Sequence, residues 1–505
     1  MARTGALVGG IATSVLACLL VPSPAIAFCD VDSPSPHGTI TCRGNQSGGV
    51  SFTGPNYETL NVIELSEDIT PPSGVSGIVL SSNSGDNVII NSDGSSDTDS
   101  GPHAIVVTGI NARGISGNSS LVVTEADVVV TAGNLSINNN RTIDTVLGIG
   151  IFTNSYNSAT ANSGSSQSAG GQIHINTTGA ISTSGDSAYG IEVNGSVRAL
   201  ALSPSGTATT TGDKTTITSN GITTEGNFAY GIYAGNDAFS QTSGAGSSLA
   251  KEGETSIASA GLISTSGDDA YGIRADRRVT ADTSSAGVSA STTGGKITIT
   301  SDNVSTKGES AAGIYASNRA ESSTNGTGSS QATGGETSIV STGLISTLGD
   351  SAYGISAADQ VRASTTSAAG TDATATGGKI AITSQNITTA GANAHGIYAT
   401  SSAESSTSGT GSSQAIGGEI NIVSNGVISA SGDSARGIYA SVSPYFDFTF
   451  GNYTATGGKI AVDVQTGSVV TGGSGSGAGI EFVGGVANTI TNRGEISALS
   501  GLAMG

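Results

Sequence analysis

The sequence predicts an all-β chain wound as a right-handed parallel β-helix, a solenoid of 41-residue repeats with an 82-residue super-repeat. Three observations predict it. A Gly-Ile pair recurs at Gly190, Gly231, Gly272, Gly313, Gly354, Gly396, Gly437 and Gly479, always 41 or 42 residues apart, and self-similarity at a fixed period marks a stacked repeat architecture. Each repeat opens on a turn followed by a short alternating run such as GGKITITS from Gly294, the pattern of a half-buried strand. The 505 residues include 76 Gly, no Trp and only 11% charged side chains, so the core must be thin and built from small and β-branched residues.

Taken from the N-terminus, residues 1–27 carry Arg3, an apolar run and Ala25-Ile26-Ala27. These are the charged start, apolar centre and small-residue cleavage site of a secretory signal peptide. Val15-Leu16-Ala17-Cys18 offers a competing lipoprotein cleavage site, although the apolar residues after Cys18 do not suit it. Residues 28–75 form an N-terminal cap holding Cys29 and Cys42, the two cysteines left once Cys18 is removed. In an oxidising compartment they are expected to pair, closing a loop worth about 3 kcal/mol. A metal is the weaker alternative, since no further Cys or nearby His completes a ligand set.

Residues 76–165 read as irregular first coils, residues 166–483 as eight 41-residue repeats, and residues 484–505 as a last partial coil. Within a repeat, three short strands follow one another, as in GGKITITS, NVSTKG and AAGIYA. About 20 residues rich in Ser, Thr, Ala and Gly come next, and they are read either as a second coil of small residues or as a loop thrown out from one coil. Two coils per repeat is the preferred reading. It gives roughly 20 coils at about 4.8 Å spacing and a rod on the order of 100 Å long. The isoleucines after the repeated glycines, Ile191, Ile232, Ile273, Ile314, Ile355, Ile397 and Ile438, should stack into an inward ladder.

Two residues after the glycine, Tyr233, Tyr315, Tyr398 and Tyr439 fall on the outer face. Such a row could bind a glycan or a partner protein by ring stacking, or merely cover neighbouring strands. A second set, Tyr189, Tyr230, Tyr271 and Tyr353, precedes the glycine, but Arg436 takes that slot too, so it is read as lying outside the core.

Several chemistries are excluded. Gly185-Asp186-Ser187 spells the nucleophile triplet of a serine protease, yet GDS returns at Ser351 and Ser434, and the four histidines bear no repeated relation to it. A turn, with Gly for positive φ and Asp for a local side-chain bond, explains the triplet better. Asp186, Asp268, Asp350 and Asp433 lie 82 or 83 residues apart, about 19 Å on the two-coil reading and about 10 Å otherwise, too far to share a metal or work as an acid and base pair. Gly-Gly-Lys at Lys296, Lys379 and Lys459 opens a strand and lacks the Ser or Thr of a phosphate-binding loop. No cofactor is expected. A net charge of -20 argues against nucleic acid as a partner.

The signal peptide, the early Cys29 and Cys42, the repeated AYGIYA segments and the closing NTITNRGEISALSGLAM from Asn488 to Met504 together resemble the passenger domains of bacterial autotransporters. The resemblance covers nearly the whole chain, although similar text occurs in filamentous adhesins exported by a separate outer-membrane partner. It implies export through the inner membrane, passage through an outer-membrane β-barrel, and display at the surface of a Gram-negative cell. Autotransporters end in a barrel of alternating strands, and none precedes Gly505, so the chain is expected to be a truncated reading frame or to leave by another route. The expected function is a structural or adhesive rod without catalysis, facing a host or cell-surface glycan or protein. The alternative is a β-helix enzyme acting on polysaccharide or protein, with its site in residues 50–165 or in the aromatic SVSPYFDFTFGNYTA from Ser441.

Overall fold

The computed structural model describes residues 28–32, 37–55, 57–97, 102–284, 289–366, 371–447, 452–500 and 502–504; the segment read as a signal peptide and residues 448–451 of the aromatic insert lie outside them. The described chain is a parallel β-helix with three faces. One repeat shows the plan. Lys296–Ser301 and Val304–Thr306 lie on the first face, Ile314–Thr324 runs along the second, and Ser330–Thr333 forms the third before Gly334-Gly335 returns the chain to the first. The second face is a sheet of 13 strands, the third of 9 and the first of 23.

Each 41-residue repeat is one coil, not the two that the sequence suggested. The pairing decides this, because Ile273 lies beside Ile314 and Ile314 beside Ile355, one full repeat apart. The Ser/Thr/Ala text is neither a second coil nor a loop. It continues the long strand: Ala316, Asn318, Ala320, Ser322 and Thr324 point inward, with Tyr315, Ser317, Arg319, Glu321 and Ser323 between them on the outside. With 13 strands in the long sheet, the 12 intervals of about 4.8 Å make the rod about 60 Å long, not about 100 Å.

Parallel stacking starts at Gly38–Gly44, which pairs with Tyr57–Leu65. Phe28–Val31 folds back antiparallel on that first strand with Cys29 opposite Cys42, and their sulfurs are bonded at 2.05 Å. Behind the cap, Arg141 and Asp97 form an ion pair with both side chains fully buried, and Arg141 Nη2 also donates to Asp93 O at 2.7 Å.

Inside the rod, the seven ladder isoleucines Ile191 to Ile438 are all 0% exposed and belong to a large core between the first and second faces. A smaller core of alanine and valine fills the space between the second and third faces. The super-repeat has a physical basis there. Ser240, Ala281, Ser322, Ala363 and Ser405 are successive neighbours along the long sheet. Each serine of the series joins a third-face serine, Ser240 with Ser248 at 2.7 Å, Ser322 with Ser330 at 2.6 Å and Ser405 with Ser413 at 2.8 Å, while alanine serves the coils between.

Between the two cores runs a polar seam. Five residues after each of the first six repeated glycines, Gly195, Asn236, Arg277, Asn318, Asp359 and Ser401 succeed one another at the middle of the long strands and face inward. They meet the corner that opens each repeat, Gly-Gly except where Asp213 and Glu252 take one of the two positions. Gly378 N–H donates to Asp359 Oδ2 at 2.7 Å, Gly418 N–H to Ser401 Oγ at 3.0 Å, and Asn318 Nδ2 donates to Gly295 O at 2.6 Å. A Cβ at Gly335 would lie 1.9 Å from Gly295 O and 2.2 Å from Asn318 Nδ2, so this position is closed to a side chain. Arg277 Nη1 reaches Glu252 Oε1 at 2.6 Å and its Nε reaches Thr255 Oγ1 at 2.7 Å, wholly inside the rod.

Candidate functional site

The GDS stretch is a turn on the exposed rim. Gly185 has φ +113, and the third position is left-handed in seven successive repeats, from Ser187 at +57 to Ser434 at +56. Turn carboxylates and the Asn227 amide oxygen stitch coils together, with Asn227 N–H donating to Asp186 Oδ1, Asp268 N–H to Asn227 Oδ1 and Glu309 N–H to Asp268 Oδ1, each at 2.9 Å. Beneath it, the Thr two residues after the preceding Ile donates inward, as from Thr265 Oγ1 to Ala270 O at 2.6 Å. That bond accounts for the repeated Thr and Ala around the turn. Among the described residues, no group of three or more His, Cys, Asp or Glu is placed to hold a metal.

The tyrosines behave differently from the sequence reading. The two sets, before and after the repeated glycine, merge into one aromatic column. Tyr189 stacks on Tyr230 at 4.9 Å, Tyr230 on Tyr271 at 5.3 Å and Tyr271 on Tyr315 at 5.5 Å. A second run stacks Tyr353 on Tyr398 at 4.9 Å and Tyr398 on Tyr439 at 5.0 Å, with His395 against Tyr353 at 5.2 Å. Where one set lacks a tyrosine the other supplies it: Ala312 shares its coil with Tyr315, Ser356 with Tyr353, and Arg436 with Tyr439. Tyr230 and Tyr398 are sandwiched on both sides, so their ring faces are occupied and only edges and hydroxyls remain for a partner.

Arginines run through the column. Arg274 lies 5.2 Å from the Tyr271 ring centre and 5.3 Å from those of Tyr230 and Tyr315, donates to Tyr230 Oη at 2.9 Å, and pairs with Asp276 at 2.6 Å. Burial pushes the Tyr189 and Tyr271 hydroxyls up to about 12 and the Tyr233 hydroxyl higher still, so all three stay neutral donors. Further along the same outer face, Arg278 and Arg319 share Glu321 at 2.8 and 2.5 Å, and Arg362 meets Glu404 at 3.3 Å. Tyr233, Gly235, Arg274, Asp276, Tyr315 and Arg319 line a groove of about 550 Å³. On a chain of net charge -20, several acids of this face are paired with arginines, which lessens its repulsion of an acidic partner.

Alternation placed Tyr233, Tyr315, Tyr398 and Tyr439 on the outer face, and they sit there, half-buried. The sequence reading missed the arginines between them. Arg274 and Arg319 occupy outward positions of the same long strands, and carrying the parity of Ile273 and Ile314 further along each strand would have found them. Compared with known proteins, the chain matches no family model, no curated protein and no solved structure.

Proposed function

We propose that the chain is an exported, surface-displayed adhesive rod of the autotransporter-passenger type, without catalysis, whose long second face contacts a glycan or protein on another cell. The observation that carries this reading is the concentration of recognition chemistry on one face. Tyr189, Tyr230, Tyr233, Tyr271, Tyr315, Tyr353, Tyr398 and Tyr439, eight of the chain's 12 tyrosines, stand in line there with Arg274, Arg278, Arg319 and Arg362. Tyrosine edges and arginine forks recur coil after coil, so a partner with repeated polar groups meets many weak contacts that add through avidity. The Cys29–Cys42 bond agrees with an oxidising compartment.

Adhesion tests the proposal. Beads coated with the exported chain should bind host cells or immobilised glycans, and the triple variant Tyr315→Ser, Arg319→Ser, Tyr398→Ser should bind at least tenfold less. A control triple on the outer side of the first face, Thr298→Ala, Thr300→Ala, Thr383→Ala, should bind as wild type. Equal binding by both variants would reject the long face as the adhesive surface.

A further inference from the structure

We propose that Asp359 is kept inside the rod as a neutral carboxylic acid that shares its proton with Asn318 Oδ1, making this rung of the seam a proton-binding site that loosens as pH rises from acid to neutral. Asn318 and Asp359 are register partners on adjacent coils and both point inward. Each is 1% exposed. Asp359 Oδ2 accepts from Gly378 N–H at 2.7 Å and lies 3.5 Å from Ser401 Oγ, but Asp359 Oδ1 and Asn318 Oδ1 have no hydrogen-bond partner. Two buried acceptors without donors are costly together. One proton on the carboxyl answers both.

Turning the Asn318 amide over does not. Its nitrogen donates to Gly295 O at 2.6 Å, and a flip would set oxygen against oxygen there. The Thr337 hydroxyl bonds neither residue. The coils two steps back show how the same geometry is satisfied by a cation. Arg277 holds the super-repeat position of Asp359, and its guanidinium bonds Thr255 and Glu252. At Asp359 the counterpart of Glu252 is Gly334, whose Cβ would lie 2.5 Å from Asp359 Oδ1, which leaves no room for an ion with its own shell of ligands.

No charge faces Asp359. On its own strand the inward neighbours are Ala357 and Val361, on the adjoining strands Ala316, Ala320, Ala399 and Ala403, and on the first face Thr337 and Ile380, while Arg362 points outward. Burial accordingly pushes the Asp359 carboxyl up to about 7, against the opposing bonds from Gly378 and Ser401. The folded state then binds a proton that the unfolded state releases from pH 3.8 upward. Stability is greatest below that pH and falls as pH rises toward 7.

The test is the unfolding equilibrium and the infrared carboxyl band of the exported chain, wild type against Asp359→Asn. Between pH 4 and pH 8 the wild-type unfolding constant should rise up to about a thousandfold more than that of the variant, and the difference spectrum should contain a protonated carboxyl that vanishes with a midpoint near neutrality. Asp213 and Glu252, also raised by burial, cancel in that comparison. If Asp359→Asn does not fold, Asp359→Ser, which copies Ser401 of the same column, replaces it for the stability arm, and 13C labelling of aspartate in the wild type supplies the spectrum. A carboxylate already ionised at pH 5, equal pH slopes in the two chains, or stabilisation by sodium over choline at pH 8 would each overturn the proposal.

Discussion

Replacing His395 by tyrosine should free the rod from an acid weakness. His395 stands in the slot filled by Tyr189, Tyr230, Tyr271 and Tyr353, 6% exposed, with its ring against Tyr353 and Tyr398. Burial, helped by the nearby positive charge of Arg436, pulls its pKa from 6.5 down to about 4. The ring is therefore neutral when folded, and its Nδ1 accepts the Arg436 N–H at 3.1 Å. The unfolded chain binds a proton below pH 6.5 that the folded chain refuses until about pH 4, so stability present at pH 7 is lost as pH falls through that window. A gap of about 2.5 units at 1.36 kcal/mol each gives a loss of about 3 kcal/mol by pH 4. His395→Tyr should cost about 1 kcal/mol at pH 7 for the lost acceptor and show none of the acid loss. Urea unfolding followed by circular dichroism at pH 7, 5.5 and 4 reads both quantities, and the opposite trend of the buried carboxyls drops out of the difference. Parallel stability curves for the two chains across that range would refute the reasoning.

Three further outcomes follow from the packing. Ile314→Ala, at a fully buried rung between Ile273 and Ile355, should destabilise the rod by about 2–5 kcal/mol in thermal or urea melts. Gly378→Ala places a Cβ 1.8 Å from Gly335 O, and the forced shift should cost about 1–3 kcal/mol and speed amide exchange in Lys379–Thr389. Cys42→Ser should lower the stability of the N-terminal cap by about 3 kcal/mol, read as faster proteolysis before Gly44 with the later coils unaffected.

The period, the turn and the inward ladder were legible because each repeats as text: Gly-Ile every 41 or 42 residues, and alternation that a β-branched side chain makes visible. The number of coils was not. In the second half of each long strand the inward residues are mostly Ala, Ser and Thr, as at Ala320, Ser322 and Thr324, and such residues give little hydrophobic contrast with the Arg, Glu and Ser between them. The second half of the strand consequently reads as a separate coil of small residues. The aromatic column was half visible, since Arg436 in the Tyr353 slot suggested a position outside the packing, whereas a guanidinium beside a ring is itself a packed arrangement, here 5.4 Å from the Tyr439 centre. The seam was hidden because Asn236, Arg277, Asn318, Asp359 and Ser401 share a position but not a residue type. Counting five residues on from each glycine, with the parity of the isoleucine one residue after it, places them inside.

The proposal that the rod is exported and carried on the cell surface is tested most directly by labelling intact cells of the native organism with an antibody raised against residues 28–505. The account predicts bright labelling of unpermeabilised cells that external protease removes. Labelling that needs permeabilisation and survives the protease would contradict it.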